Sequence, residues 1–240
     1  MGNTIYVGLS SQMALQSRMD MIANNVANID TAGFKSGNIL FSEHLVTKNS
    51  DAPMSMVSDY ANYRDFSQGT MQSTGNPLDV ALEGNGFFAL QSPDGSTKYT
   101  RNGSMLKNNL GQLVSSTGAP YLSSGSQPIV IPADAKEITI LADGTVATDQ
   151  GPVGQLQVVR FENPLGITPV GDSMYETDQS PIPDNTKTKV QQGMLEGSNV
   201  NSVMEMTKMI EVMRRYEGVA RMLQKDADMQ SSMIQRLSRI

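Results

Sequence analysis

The sequence predicts an α+β protein. Its N- and C-terminal helices are expected to pair as a coiled coil, with an extended connector and a central, mostly antiparallel β domain between them. Three observations carry this expectation. Near the start, Leu15, Met19, Ile22, Val26 and Ile29 recur at spacings of four, three, four and three. Near the end, Met209, Val212, Tyr216, Val219 and Leu223 repeat the pattern, and Met233, Leu237 and Ile240 resume its phase. Between the two stripes the apolar runs are short and separated by turn residues. A strict three-four stripe is narrower than a core-facing helix needs and suits a helix–helix seam. A chain that puts most of its length between two seam helices is built to bring its ends together, which suits an assembling part better than an enzyme.

The first element, residues 1–35, reads as a helix from about Asn3 to Asn28, with Asn3 or Thr4 as its cap. It ends in the polar run Asn28-Ile29-Asp30-Thr31, followed by Gly33. An isolated helix of this length is marginal in water. Its only charges up to Phe34 are Arg18, Asp20 and Asp30, so most of its surface is expected to be covered, by its own domain or by other copies. Residues 36–78 are rich in Ser, Asn and Asp without a sustained period. They read as the extended connector, with one or two short strands, the second near Thr70 to Ser73.

Residues 79–194 carry the β signals. The run DVALEGNGFFALQ reads as strand, turn, strand, and Glu137–Leu141 and Gly154–Phe161 are the clearest later strands. Pro93-Asp94-Gly95, Asn102-Gly103, Thr117-Gly118 and Asp143-Gly144 supply turns. Residues 195–240 return to helix from about Val200 to Ser238, capped by Asn201 or Ser202. Ser202 and Glu205 match the spacing of a capping box. Gly218 interrupts this helix at a cost of roughly 1 kcal/mol relative to Ala, and admits either close packing or a bend.

Composition narrows the function classes. No stretch approaches the roughly 18 apolar residues of a membrane helix. The first residues lack a basic region and a compact apolar run, so no cleaved secretion signal is expected. The absence of Cys rules out disulfides and thiolate chemistry, and fits either a reducing compartment or passage through an export channel in an unfolded state. A net charge of −6 argues against a nucleic-acid partner.

No catalytic, cofactor-binding or metal-binding residue is expected. The one histidine, His44, stands alone in the polar connector, and no His, Cys or acidic cluster has metal-ligand spacing. Gly84-Asn85-Gly86 begins like a dinucleotide fingerprint, but Ala89 follows where the third glycine belongs, and a tight turn explains it better. Seven of the 17 methionines, from Met204 to Met233, spread over more than one face of the last helix. Gap filling explains them more simply than a ligand role.

Several motifs then align with a known family. Ala23-Asn24-Asn25-Val26-Ala27-Asn28 with Thr31-Ala32-Gly33-Phe34-Lys35 resembles the N-terminal signature of bacterial flagellar basal-body rod and hook proteins. Leu195-Glu196-Gly197-Ser198-Asn199-Val200, followed by Met209-Ile210 and Arg215-Tyr216-Glu217, resembles their C-terminal signature. Gly84-Asn85-Gly86-Phe87-Phe88 and Tyr99-Thr100-Arg101-Asn102-Gly103 are similar to their β-domain motifs. Length and the opening Ile5-Tyr6-Val7-Gly8-Leu9-Ser10 are most similar to the proximal-rod type, ahead of the distal-rod and hook types.

The resemblance implies a structural subunit that assembles helically into the periplasm-spanning drive shaft, transmits motor torque and encloses the export channel. It implies export by the flagellar type III apparatus without a cleaved signal. Other copies, proximal and distal rod proteins and the export apparatus are the implied partners, with no nucleic acid and no direct membrane insertion. The two stripes would line the inner tube. Asn24, Asn25 and Asn28 would satisfy polar groups at the helix end, Gly33 would supply a turn of positive φ, and Phe34 an apolar anchor. From other classes, a ligand-binding β domain on a helical oligomerisation stalk and an export chaperone fit the organisation without the motifs.

Overall fold

A computed structural model describes residues 2–46, 54–184 and 187–237, and describes side chains at 5–42, 61–184 and 187–235. The chain divides into two units. One comprises Met1–Ala27, Gly37–Tyr63 and Asn201–Ile240, and the other Asn28–Ser36 and Arg64–Val200.

The helical unit contains α1 (Gly2–Ala27), a two-stranded sheet of β1 (Gly37–Val46) and β2 (Met54–Arg64), and α2 (Ser202–Leu237). The helices pack side by side and antiparallel: a Cβ on Gly8 would lie 2.6 Å from a Leu223 methyl, while Asn25 reaches Glu205 at 3.1 Å. With α1 about 39 Å long and α2 about 54 Å, roughly the last two turns of α2 run past Gly2. The buried positions explain the stripes: Ile22 and Val212 are covered, and Leu15, Met19, Val26, Met209, Tyr216, Val219 and Leu223 are partly so. Met233 is exposed, on the part of α2 that runs past α1. The side chains of Asn3, Thr4, His44 and Leu237, and all of Ile240, lie outside the described residues.

Two expectations are corrected here. The polar stretch after Ser36 opens with a pair of strands ten and eleven residues long where an extended connector is expected, while the short strand expected near Thr70 to Ser73 is present at Met71–Ser73. β1 carries Ile39, Leu40 and Phe41 consecutively, so a period-two pattern is a weak guide to it. The Ser202/Glu205 capping box does not form. Asn201 caps α2, its Oδ1 accepting from Met204 N at 3.0 Å, and the Glu205 carboxylate turns instead to Asn25 and Lys208.

The β unit runs through β3 (Met71–Ser73), β4 (Val80–Glu83), β5 (Phe87–Gln91), β6 (Thr97–Thr100), β7 (Leu106–Lys107), β8 (Leu113–Val114), β9 (Ile138–Ile140), β10 (Thr145–Thr148), β11 (Gly151–Gln155) and β12 (Val158–Arg160). It continues with β13 (Thr168–Gly171), β14 (Met174–Glu176), β15 (Ile182–Pro183), β16 (Lys189–Gln192) and β17 (Met194–Glu196). Every strand pairing with a described register is antiparallel. The main sheet has the order β13-β14-β6-β5-β12-β15, and its two edge strands carry Pro169 and Pro183. The first strands close on the last: β4 pairs β16 and β3 pairs β17.

Strand β5 shows why the unit has one dense interior. Its apolar run is buried on both faces, with Phe88 and Leu90 in the larger cluster beside Leu82, Met105, Tyr121 and Leu156. Phe87 and Ala89 enter a second cluster with Tyr99, Phe161 and Tyr175. There the rings meet edge-on, Tyr99 and Phe161 at 4.8 Å between centroids and 76° between planes. DVALEGNGFFALQ is strand, turn, strand as its pattern predicts, but β4 and β5 join different sheets instead of pairing.

Candidate functional site

Two features concentrate the residues singled out by sequence. The first is the surface of the helical unit. Beside the covered stripe, α2 carries a second one: Val203, Met206, Ile210 and Met213 recur at spacings of three, four and three and are all exposed. Further along, Met222, Met229, Met233 and Ile234 are also exposed. On α1, Ile5, Leu9 and Met13 lie four residues apart on an exposed face, with Tyr6 beside them. Two adjacent stripes on one helix give it two seams, and this chain covers one of them. Gly218 lies on α2 with no described atom within 4 Å of where its Cβ would stand. Among the described residues, no helix is long and apolar enough to cross a membrane.

Within the same unit, Asn25 is buried and its amide is fully engaged. Nδ2 donates to the Gly37 carbonyl at 2.9 Å and to Glu205 Oε2 at 3.1 Å, and Oδ1 accepts from Gly37 N at 2.8 Å. Glu205 is itself buried and takes a 2.6 Å ion pair from Lys208. Asn24, its neighbour in the motif, is exposed. Sequence placed the three asparagines alike, whereas the structure makes Asn25 the tie between α1, β1 and α2.

The second feature lies wholly inside the β unit. Lys35 and Glu196 are fully buried and meet at 2.6 Å, and buried Arg101 reaches the other Glu196 oxygen at 3.3 Å. Lys35 Nζ also donates to the Ser67 carbonyl at 2.7 Å, and Gly69 N donates to Glu196 Oε1 at 2.9 Å. Two cations thus share one carboxylate in a site without water access. Burial lowers the pKa of Lys35 and of Arg101, and Glu196 opposes both shifts. Arg101 also stacks over Phe87, 5.0 Å from the ring centroid. Its Nε is buried without a hydrogen bond.

Around this cluster Gly33 turns at φ +68°, and any Cβ there would stand 2.4 Å from Asn102 N. Gly33 N donates to the Glu196 carbonyl at 2.7 Å. Phe34 is buried with the Arg64 guanidinium 5.3 Å from its ring centroid. Asn28 accepts from the Thr31 hydroxyl at 3.1 Å, and Ile29 is partly buried. Asn199 accepts from Ser36 N at 2.7 Å and donates to the Asp65 carbonyl at 2.7 Å. The ionic cluster escaped the sequence reading because its members lie 161 and 95 residues apart. The one available signal was that each stands inside a motif of otherwise uncharged residues.

Neither feature resembles a catalytic centre. Among the described residues, no group of His, Cys, Asp or Glu could hold a metal ion. An open cleft of about 620 Å³ in the β unit is bounded by Gln91, Ser92, Pro93, Thr117, Asp172 and Met174, with Asp172 the one charged residue on its wall.

Comparison with known proteins fits this division. Residues 5–35 match the family described as flagella basal body rod protein, 81–148 the flagellar hook protein FlgE/F/G D1 domain, and 191–236 the flagellar basal body rod FlgEFG protein C-terminal region. The flagellar basal-body rod protein FlgF of Caulobacter vibrioides is 38% identical over 100% of both chains. The chain belongs to the flagellar basal-body rod protein family. A second FlgF, from Mesorhizobium japonicum, is 34% identical over 99% of this chain and 98% of its own. A rod protein FlgG, from Agrobacterium fabrum, is 36% identical over 85% of this chain and 87% of its own.

As a member of that family the chain is a structural part of the basal-body rod, acting among other rod subunits in motility. Each matched segment contributes one member of the buried cluster: Lys35 from the first, Arg101 from the second and Glu196 from the third. One residue from each matched segment thus meets the others inside the β unit.

Proposed function

We propose that the chain is a proximal-rod subunit whose α1 and α2 form an antiparallel coiled coil and whose exposed apolar stripes pack on neighbouring subunits. The observation that carries this is the second stripe on α2, Val203, Met206, Ile210 and Met213, exposed beside a covered one. A lone soluble protein has no use for a two-seam helix, and a helical polymer needs one. Leu15, Met19, Ile22 and Val26 with Met209, Val212, Tyr216, Val219 and Leu223 then serve the pairing within each subunit, while Ile29, expected to continue the stripe, lies beyond the end of α1. Met233, exposed near the end of α2, reaches the next subunit.

In this reading the helices line an export channel, and the assembled subunits form a shaft that transmits torque across the periplasm. Copies of the chain and other proximal- and distal-rod proteins are its neighbours. It reaches that place through the flagellar type III apparatus without a cleaved signal, and its work is mechanical rather than catalytic. The full-length similarity to FlgF proteins at 38% and 34% identity supports the proximal position.

The test is rod assembly by Ile210→Asp and Met213→Asp in cells lacking the wild-type chain. Purified monomers should keep wild-type ellipticity and melting temperature, while basal bodies isolated from these cells lack the subunit. Normal incorporation of both variants would overturn the reading.

A further inference from the structure

The β unit is closed by the last residues it receives. Among the described residues, its first strands, β3 and β4, have β17 and β16, near its C-terminal end, as their strand partners. Val190, on β16, completes the main core cluster. Gly193 N donates to the Asp79 carbonyl, and Gly197 N to that of Thr70, tying the same two ends together. Charge follows the same order. Lys35 and Arg101 arrive early in the chain, and among the described residues the one carboxylate within ion-pair distance of either is Glu196. Until Glu196 arrives, the closed interior would hold two cations with no carboxylate in contact, Asp65 and Asp184 acting on them only from farther away, an arrangement that desolvation disfavours.

We infer that Glu196 is a latch: the β unit stays open while the chain is delivered from its N-terminus, and closes only when residues 187–200 become available to bring strands and counter-charge together. Domains ordinarily fold as units during synthesis once their residues have emerged. Here the wiring moves that moment to nearly the end of the chain. Synthesis therefore leaves a long interval in which the β residues are extended and unclosed. A chain that must thread a narrow channel benefits from that interval, and this use of the latch rests on the export reading above. The latch itself does not.

The inference separates three contributions: strand pairing by β16 and β17, the Glu196 carboxylate, and mutual repulsion of the two cations. In the full-length chain, Glu196→Gln keeps the shape and backbone of β17 but removes the anion. Hydrogen exchange then reads closure at Tyr121 N and Ile131 N, which donate to the Leu113 and Gly111 carbonyls deep in the unit. Protection there should fall at least a hundredfold. Adding Lys35→Met to Glu196→Gln removes one of the opposed cations and should restore at least tenfold of the loss.

The timing is read on ribosome-bound chains stalled behind an unstructured linker that clears the exit tunnel. The chain stopped after Lys187 should be digested throughout by protease. The chain stopped after Val200 should yield a resistant β fragment, at least tenfold more abundant in the wild type than in Glu196→Gln. Equal resistance of the two lengths would overturn late closure. Wild-type protection in Glu196→Gln, or no recovery on adding Lys35→Met, would overturn the charge latch. None of these readouts depends on rod assembly, so failure of the subunit to enter rods would leave them standing.

Discussion

Replacing Asn25 by Ala is the sharpest single perturbation of the helical unit. The change deletes three hydrogen bonds and leaves three groups behind: the Gly37 N–H, the Gly37 carbonyl and one oxygen of buried Glu205. Two of the bonds are neutral, at roughly 1 kcal/mol each, and the third ends on a carboxylate, at about 1.5–3 kcal/mol. The expected loss is therefore about 3.5–5 kcal/mol, large for a change from amide to methyl and comparable with much of a domain's net stability. Far-UV ellipticity in a urea titration is the assay, because α1 and α2 carry nearly all the helix of the described residues. The helical transition should move to lower urea with an unchanged slope. The β unit, followed by exchange protection of its Tyr121 and Ile131 amides, should hold its midpoint. Asn24→Ala, on an exposed neighbour, should cost far less. A loss below about 1 kcal/mol for Asn25→Ala would show that these bonds are exchanged for water at no cost, and the tie between α1, β1 and α2 would have to be abandoned.

Other outcomes follow from the same geometry. Gly33→Ala should lower the melting temperature of the β unit by several degrees, since the new Cβ meets Asn102 backbone at 2.4 Å on a left-handed turn; an unchanged melt would mean the segment relaxes freely. Ile22→Asp should unfold the helical unit before any effect on assembly can be read, because Ile22 is buried within the chain; a well-folded helical variant counts against that packing. Burial raises Tyr175 from 10.0 to about 12, so its contribution is fully present below pH 10 and is lost as pH rises through 12. Tyr175→Phe should therefore reduce the alkaline fall in stability by up to about 1.4 kcal/mol per pH unit, one proton's worth, in denaturant titrations at stepped pH. An identical slope in both proteins would exclude the tyrosine as its source.

The helices were legible because a three-four repeat can be read from apolar spacing alone, and the chain covers the very stripe that spacing marks from Leu15 to Val26 and from Met209 to Leu223. The short strands around Phe87, Ile138 and Val158 were legible for a similar reason, as apolar runs bounded by Gly and Asp turns. What could not be read was partnership across distance. Lys35, Arg101 and Glu196 carry no local sign that they meet, and Ser202 with Glu205 carries a local sign that Asn25 overrides. Strands β1 and β2 failed differently: Ile39, Leu40 and Phe41 run consecutively in β1, and Ser55, Ser58, Asp59 and Asn62 interrupt β2 irregularly, so neither shows the alternation that marks a half-buried strand.

The prolines on the two edge strands of the main sheet bear on how copies can be stacked at high density. A bare sheet edge offers a row of free donors and acceptors to any other edge, and crowding turns that offer into uncontrolled aggregation. Pro169 and Pro183 each delete a donor from that row, and the register of β13 shifts between Pro169 and Gly171. One sheet therefore finds poor purchase on the next. Packing of copies through fused main sheets is thereby disfavoured, whatever brings those copies together.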